Sequence, residues 1–126
     1  MKETKVKNIF IVDDTQEIRI SLKKLISSIS AVKLVGYASD GKTALELIEL
    51  LMPAIVTLDI MMPGLNGFQV LSEIKKKFPS IIVLMLTNYS SAYFKLLCKN
   101  EGADYFFDKT HEFEKMMEQI EQIASN

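Results

Sequence analysis

Asp59 follows the apolar run Ala54-Ile55-Val56 and Leu58, and it opens the loop Ile60-Met61-Met62-Pro63-Gly64-Leu65-Asn66-Gly67. Asp13 and Asp14 end a second apolar run, Ile9-Phe10-Ile11-Val12. If the two runs are neighbouring strands of a parallel sheet, the three carboxylates meet at one edge. Three such groups repel one another, so the cluster calls for a cation. Thr87 and Lys109 end two further runs and bring a hydroxyl and an ammonium to the same edge. Each residue alone has a plain structural reading. An Asp-Asp pair caps a helix, Thr87 caps the helix that follows it, and Lys109 is a surface lysine. The specificity lies in the set.

The elements that would position these residues are legible as short apolar runs alternating with helical stripes. The runs start near Ile9, Leu34, Ala54, Ile81 and Tyr105 and are rich in Ile, Val and aromatic residues. Their continuity suits parallel strands covered on both faces. One stripe is Ile18, Leu22, Leu25, Ile26 and Ile29, and a second is Ala44, Leu45, Ile48 and Leu51. Val70, Leu71, Ile74 and Phe78 form a third, and Phe94, Leu97 and Cys98 a fourth. Phe113, Met116, Met117, Ile120 and Ile123 or Ala124 form the last. Thr15 or Asp14, Asp40 and Asn66 are the expected caps of the first three helices. Strand–helix repeated five times with right-handed crossovers predicts a doubly wound five-stranded parallel sheet, flavodoxin-like, with helices on both faces in three α/β/α layers. Ligands of such folds bind beyond the carboxyl ends of the strands.

Composition narrows the class. The 126 residues suit one domain, and 48% hydrophobic residues suffice for a core. Fifteen basic against 16 acidic side chains leave a net charge of −1, which argues against direct nucleic-acid or membrane-surface binding. The N-terminal stretch Met1 to Asn8 is polar, and no apolar run approaches the ~20 residues of a membrane span. A cytoplasmic chain is expected, and the single Cys98, read as a small core residue, fits a reducing compartment. His111 reads as a solvated residue at a helix start.

The chain resembles the receiver domain of bacterial two-component response regulators, over about residues 8 to 125. The matching residues are Ile11-Val12-Asp13-Asp14, the Asp59 loop with Met62-Pro63-Gly64, Leu86-Thr87, and Gly102-Ala103-Asp104-Tyr105-Phe106-Phe107-Asp108-Lys109. The resemblance implies that Asp59 accepts a phosphoryl group, so that the chain is a signalling domain rather than an enzyme acting on an outside substrate. It implies Mg²⁺, or Mn²⁺ in its stead, held by Asp14, Asp59 and the backbone carbonyl of Met61, with Asp13 acting through a water. Thr87 and Lys109 would each receive a phosphoryl oxygen, and Phe106 takes the place of the switch aromatic. The implied partners are a histidine kinase or phosphotransfer protein upstream and another protein downstream. The face of the fourth helix, fifth strand and fifth helix would serve for output or for a homodimer. Residue chemistry supports these roles: hard oxygens suit Mg²⁺, and a hydroxyl and an ammonium suit the equatorial oxygens of a transferring phosphoryl group.

The residues depart from the family pattern in places. Thr110 follows Lys109 where proline is usual, so a trans Lys109–Thr110 bond is expected. Asn88 follows Thr87 where a small residue is common. Met61 and Tyr89 offer neither acid nor amide to orient an attacking water, so a long-lived aspartyl phosphate is expected. The chain reads as a single receiver domain, 1–126, without an output domain. One alternative is a receiver cut from a longer DNA-binding regulator. A second is an aspartyl-phosphate phosphatase or phosphotransferase, disfavoured because Met61 stands where such enzymes often carry a second Asp. A third is a pseudo-receiver, disfavoured by the full acidic set.

Overall fold

Strands and helices alternate through the computed structural model, which describes residues 5–126. The order is β1 (Lys7–Val12), α1 (Gln16–Ile26), β2 (Val32–Ala38), α2 (Gly41–Leu51), β3 (Ile55–Leu58), α3 (Gly67–Lys77), β4 (Ile82–Thr87), α4 (Ala92–Asn100), β5 (Tyr105–Asp108) and α5 (Phe113–Ser125). The polar N-terminal stretch of the sequence reading falls partly outside the described residues. All five strands are parallel in one sheet of order β2-β1-β3-β4-β5. The chain winds outward from β1 in both directions, so the switch point lies between β1 and β3.

Alternation along each strand divides the core into two layers. Phe10, Val12, Val56, Leu58, Val83 and Met85 face Ala44 and Ile48 of α2, Val70, Leu71 and Ile74 of α3, and Cys98 of α4. Ile9, Ile11, Ile55, Leu84 and Leu86 face Leu22 and Ile26 of α1 and Met116, Ile120 and Ile123 of α5. Away from the site, Lys75 of α3 ties its ammonium to Asp104 at 2.7 Å and to the Ile81 carbonyl at 2.6 Å. Asp104 Oδ2 also accepts the Val83 N–H at 2.8 Å, so one staple joins α3, β4 and the approach to β5.

Several expectations need correction. The two-sided cover expected of every strand holds for β3 throughout and for most of β1 and β4. At the sheet edges it fails: β2 is largely half-exposed or exposed between Val32 and Ala38, and only Phe107 of β5 is buried. Leu25 and Leu51 point outward at the margins of their stripes, and Ile29 is buried beyond the end of α1. Asp40 and Asn66 cap α2 and α3 as expected, the latter in a capping box with Gln69. Thr15 stands at the N-cap of α1 but makes no capping bond with its side chain. Instead the Thr15 N–H donates to Asp13 Oδ1 at 2.8 Å. The cap of α4 is Ser91, not Thr87. Among the described residues there is no cis peptide bond, so Lys109–Thr110 is trans as expected. No helix of the described residues is long and apolar enough to cross a membrane.

Candidate functional site

Backbone hydrogen bonds carry the sheet past its strand ends and deliver the polar residues to one edge. The Asp13 N–H donates to the Ala38 carbonyl at 3.0 Å, that of Asp59 to Val12 at 3.0 Å, and that of Lys109 to Thr87 at 3.0 Å. Ligand oxygens of Asp13, Asp14 and Asp59 lie within 4.8 Å of one another. Asp13 and Asp59 are buried, whereas Asp14 is exposed. The ammonium of Lys109, itself nearly buried, sits 2.8 Å from Asp13 Oδ2 and 2.8 Å from Asp59 Oδ2. Asp59 Oδ1 accepts the Ile60 N–H at 2.7 Å, so both oxygens of this carboxylate are held.

The electrostatics follow from this packing. Burial pushes the Asp13 carboxyl above its usual range, against the hydrogen bonds from Lys109 and the Thr15 N–H. Burial alone would lower Lys109, but its bonds to Asp13 and Asp59 outweigh that and raise it. Both shifts are upward, which disfavours the charged form of Asp13 and favours that of Lys109. The paired 2.8 Å contacts favour a charged ammonium, and the Asp13 shift registers what burying a carboxylate costs when it shares one lysine with Asp59. An acidic cluster of hard oxygens with one cation too few fits a divalent ion such as Mg²⁺.

The other expected site residues lie around this centre at different removes. Thr87, fully buried at the end of β4, turns its hydroxyl to its own loop, where it accepts the Tyr89 N–H at 3.1 Å. Met61 stands half-exposed in the loop after Asp59. Asn88 is exposed, and its Oδ1 faces the Thr110 hydroxyl at 3.5 Å. Phe106 is away from the acids, half-buried against the α2–α3–α4 side, with the Lys95 ammonium 5.9 Å from its ring centroid. His111 is exposed, with Nδ1 3.4 Å from Asp108 Oδ1.

Other residues build the site without being visible as candidates. Gly67 lies so close to the Asp59 loop that a Cβ there would meet the Asp59 carbonyl oxygen at 2.0 Å. A Cβ on Gly41 would meet the Leu65 carbonyl at 2.5 Å, so α2 presses on the same loop. Arg19 of α1 donates to the Asp13 carbonyl at 2.8 Å and stacks over Tyr37 with 4.9 Å to the ring centroid. The Gly after Asn66 was the one available signal for the first of these. Nothing in the sequence signals the others.

Comparison with known proteins agrees with the geometry. The family described as the response regulator receiver domain matches residues 9–121. The nitrate/nitrite response regulator NarL of Escherichia coli strain K12 is 34% identical over 119 residues, which span 93% of this chain and 54% of NarL. The chain spans about half the length, or less, of the first curated relatives it matches. The crystal structure of the response regulator domain of Thermotoga maritima CheB superposes with a TM-score of 0.84 at 32% identity, covering 95% of this chain and 94% of that one. A chain of the CheX–CheY–BeF3–Mg²⁺ complex from Borrelia burgdorferi gives 0.86 at 25% identity, covering 95% and 90%. With a family match across nearly the whole length and the same fold in solved relatives, this chain belongs to the response regulator receiver domains of two-component signalling.

Proposed function

We propose that Asp59 accepts a phosphoryl group from the phosphohistidine of a histidine kinase or phosphotransfer protein, in the cytoplasm, and that the modified domain binds another protein. The observation that carries this reading is the Lys109 ammonium shared between Asp13 and Asp59 inside a cluster of three acids. An oxygen of the Asp59 carboxylate attacks phosphorus. The new P–O bond forms as the P–N bond breaks, and the departing imidazole nitrogen keeps the electron pair. The Ile60 N–H on Oδ1 fixes the orientation of the carboxylate. Lys109 stays at the site to receive one phosphoryl oxygen, and Thr87 receives another through its hydroxyl. Asp14, Asp59 and the Met61 carbonyl would hold Mg²⁺, or Mn²⁺ in its place, with Asp13 acting through a water. When bound, the ion neutralises the acids and stabilises charge on the transferring oxygens.

The reading concerns the receiver unit as such, whatever it is joined to. Output through the α4–β5–α5 face is supported by its exposed apolar side chains: Tyr93 is 67% and Leu96 57% exposed, and Tyr89 is 44% exposed at its margin. Phe106, on the same face, would serve as the switch aromatic. A downstream protein or a second copy of the chain would bind there. The test is incubation with acetyl phosphate and Mg²⁺ followed by intact mass. Gain of one phosphoryl group, absent in Asp59→Asn, is the expected result. The same gain in Asp59→Asn would remove Asp59 from the role.

A further inference from the structure

Ser90 and Asp108 join the two loops that carry Thr87 and Lys109. Ser90 lies between β4 and α4, and Asp108 ends β5 beside Lys109. The Ser90 hydroxyl donates to Asp108 Oδ2 in a part-buried hydrogen bond. The other oxygen, Oδ1, accepts the Thr110 N–H at 2.7 Å and the His111 N–H at 3.0 Å. Glu112 closes the same turn, its Oε1 taking the Asp108 N–H at 3.1 Å and its own N–H donating to the Asp108 carbonyl at 2.9 Å. One carboxylate therefore both winds the turn behind Lys109 and tethers the neighbouring loop. The Ser90 hydroxyl is the foremost of the groups that hold Asp108 below the usual carboxylate range.

The Thr87 hydroxyl oxygen accepts the Tyr89 N–H, which ties Thr87 to the arrangement of residues 88–90. A turn of that hydroxyl towards an oxygen on Asp59 strains the Tyr89 bond and draws residues 88–90 with it. Two contacts oppose this. The ring of Tyr89 meets Phe94 edge-on at 5.9 Å, and Phe94 stacks on Phe68 of α3 at 5.7 Å. The second is the Ser90 bond to Asp108, which is charge-assisted and so stronger than a neutral pair.

We infer that Ser90 and Asp108 form a latch that positions the β4–α4 loop in its resting arrangement, so that Thr87 turns towards the phosphoryl group only when the latch opens. This rests on the proposed role of Asp59. The latch lowers the population of the reactive arrangement, and a variant that lacks it starts closer to that arrangement.

The test compares the whole chain with Ser90→Ala and Ser90→Thr, using acetyl phosphate with Mg²⁺ as the probe. Ser90→Ala is expected to take up phosphoryl roughly tenfold faster, from the usual strength of a hydrogen bond to a charged group. Ser90→Thr keeps the hydroxyl and is expected to restore the original rate, which a merely structural role for Ser90 does not require. An equal or slower rate in Ser90→Ala overturns the latch. Amide exchange of the unmodified proteins supplies a second reading. Faster exchange confined to residues 88–91 and 110–111 in Ser90→Ala supports the latch, and unchanged exchange there overturns it. If the unaltered chain takes up no phosphoryl at all, the Asp59 reading fails, while the exchange comparison still decides whether the latch exists.

Discussion

Thr57 is a buried polar residue that the site does not use. It lies in the middle of β3, between Ile11 and Leu84 in register, and is 1% exposed. Its hydroxyl has no hydrogen-bond partner among the described residues. An unsatisfied buried group costs about 1–3 kcal/mol, and valine has nearly the same shape. Thr57→Val is therefore expected to stabilise the fold by about 1 kcal/mol, seen as a higher urea midpoint at unchanged slope. A lower midpoint would mean that the hydroxyl is satisfied after all. A second expectation at this scale concerns Met61 and Tyr89, which stand exposed on the loops beside Asp59 and Thr87. Neither offers an acid or amide to orient a water for attack on an aspartyl phosphate. The phosphoryl group should persist, and Met61→Asn, which adds an amide, should shorten its lifetime when followed by intact mass. Rapid loss from the unaltered chain would sink this account.

Among the elements, α3 is the one most tightly bound to the chemistry. Its N-terminus carries the capping box of Asn66 and Gln69, and its first residue, Gly67, donates to the Ile60 carbonyl at 2.6 Å. The cap was legible in the sequence, because Asn66 stands just before an apolar helical period. For Gly67 the sequence offered only a glycine after the cap; the reason it is needed, the Asp59 backbone lying against it, is a contact that folding alone creates. The two substitutions should therefore differ. Asn66→Ala removes a cap and should cost about 1 kcal/mol of stability with phosphoryl uptake retained. Gly67→Ala puts a methyl group where the Asp59 carbonyl oxygen stands, 2.0 Å away, so the loop must shift. It should lower both the melting temperature and the rate of phosphoryl uptake. Equal effects of the two variants on uptake would show that the close approach does not hold Asp59. Ser91 and the Ser90–Asp108 pair escaped the sequence for a similar reason: adjacent serines look alike until the loops that flank them meet.

Across the whole molecule, the gathering of Asp13, Asp14 and Asp59 was the most legible feature, because these acids follow directly on buried strands and the parallel sheet gathers strand ends at one edge. The edges of the sheet were the least legible. β2 and β5 read as buried runs, yet each lacks a neighbour on one side and is partly open to solvent. The same unevenness sets where the fold is weakest. α5 buries Met116, Ile120, Ile123 and Ala124, whereas α4 fully buries only Cys98 and is shorter. Elements with little buried apolar surface open at lower free energy than the core, and α4 follows the loop that the latch restrains. Cys98 reports on this directly. It is wholly buried, and burial pushes its thiol up to about 11. At pH 8, then, alkylation requires α4 to open. If α4 opens by itself, labelling of Cys98 by iodoacetamide should proceed faster than global unfolding allows and respond only weakly to low urea. Labelling that follows urea with the full slope of global unfolding would instead make α4 part of a single cooperative unit.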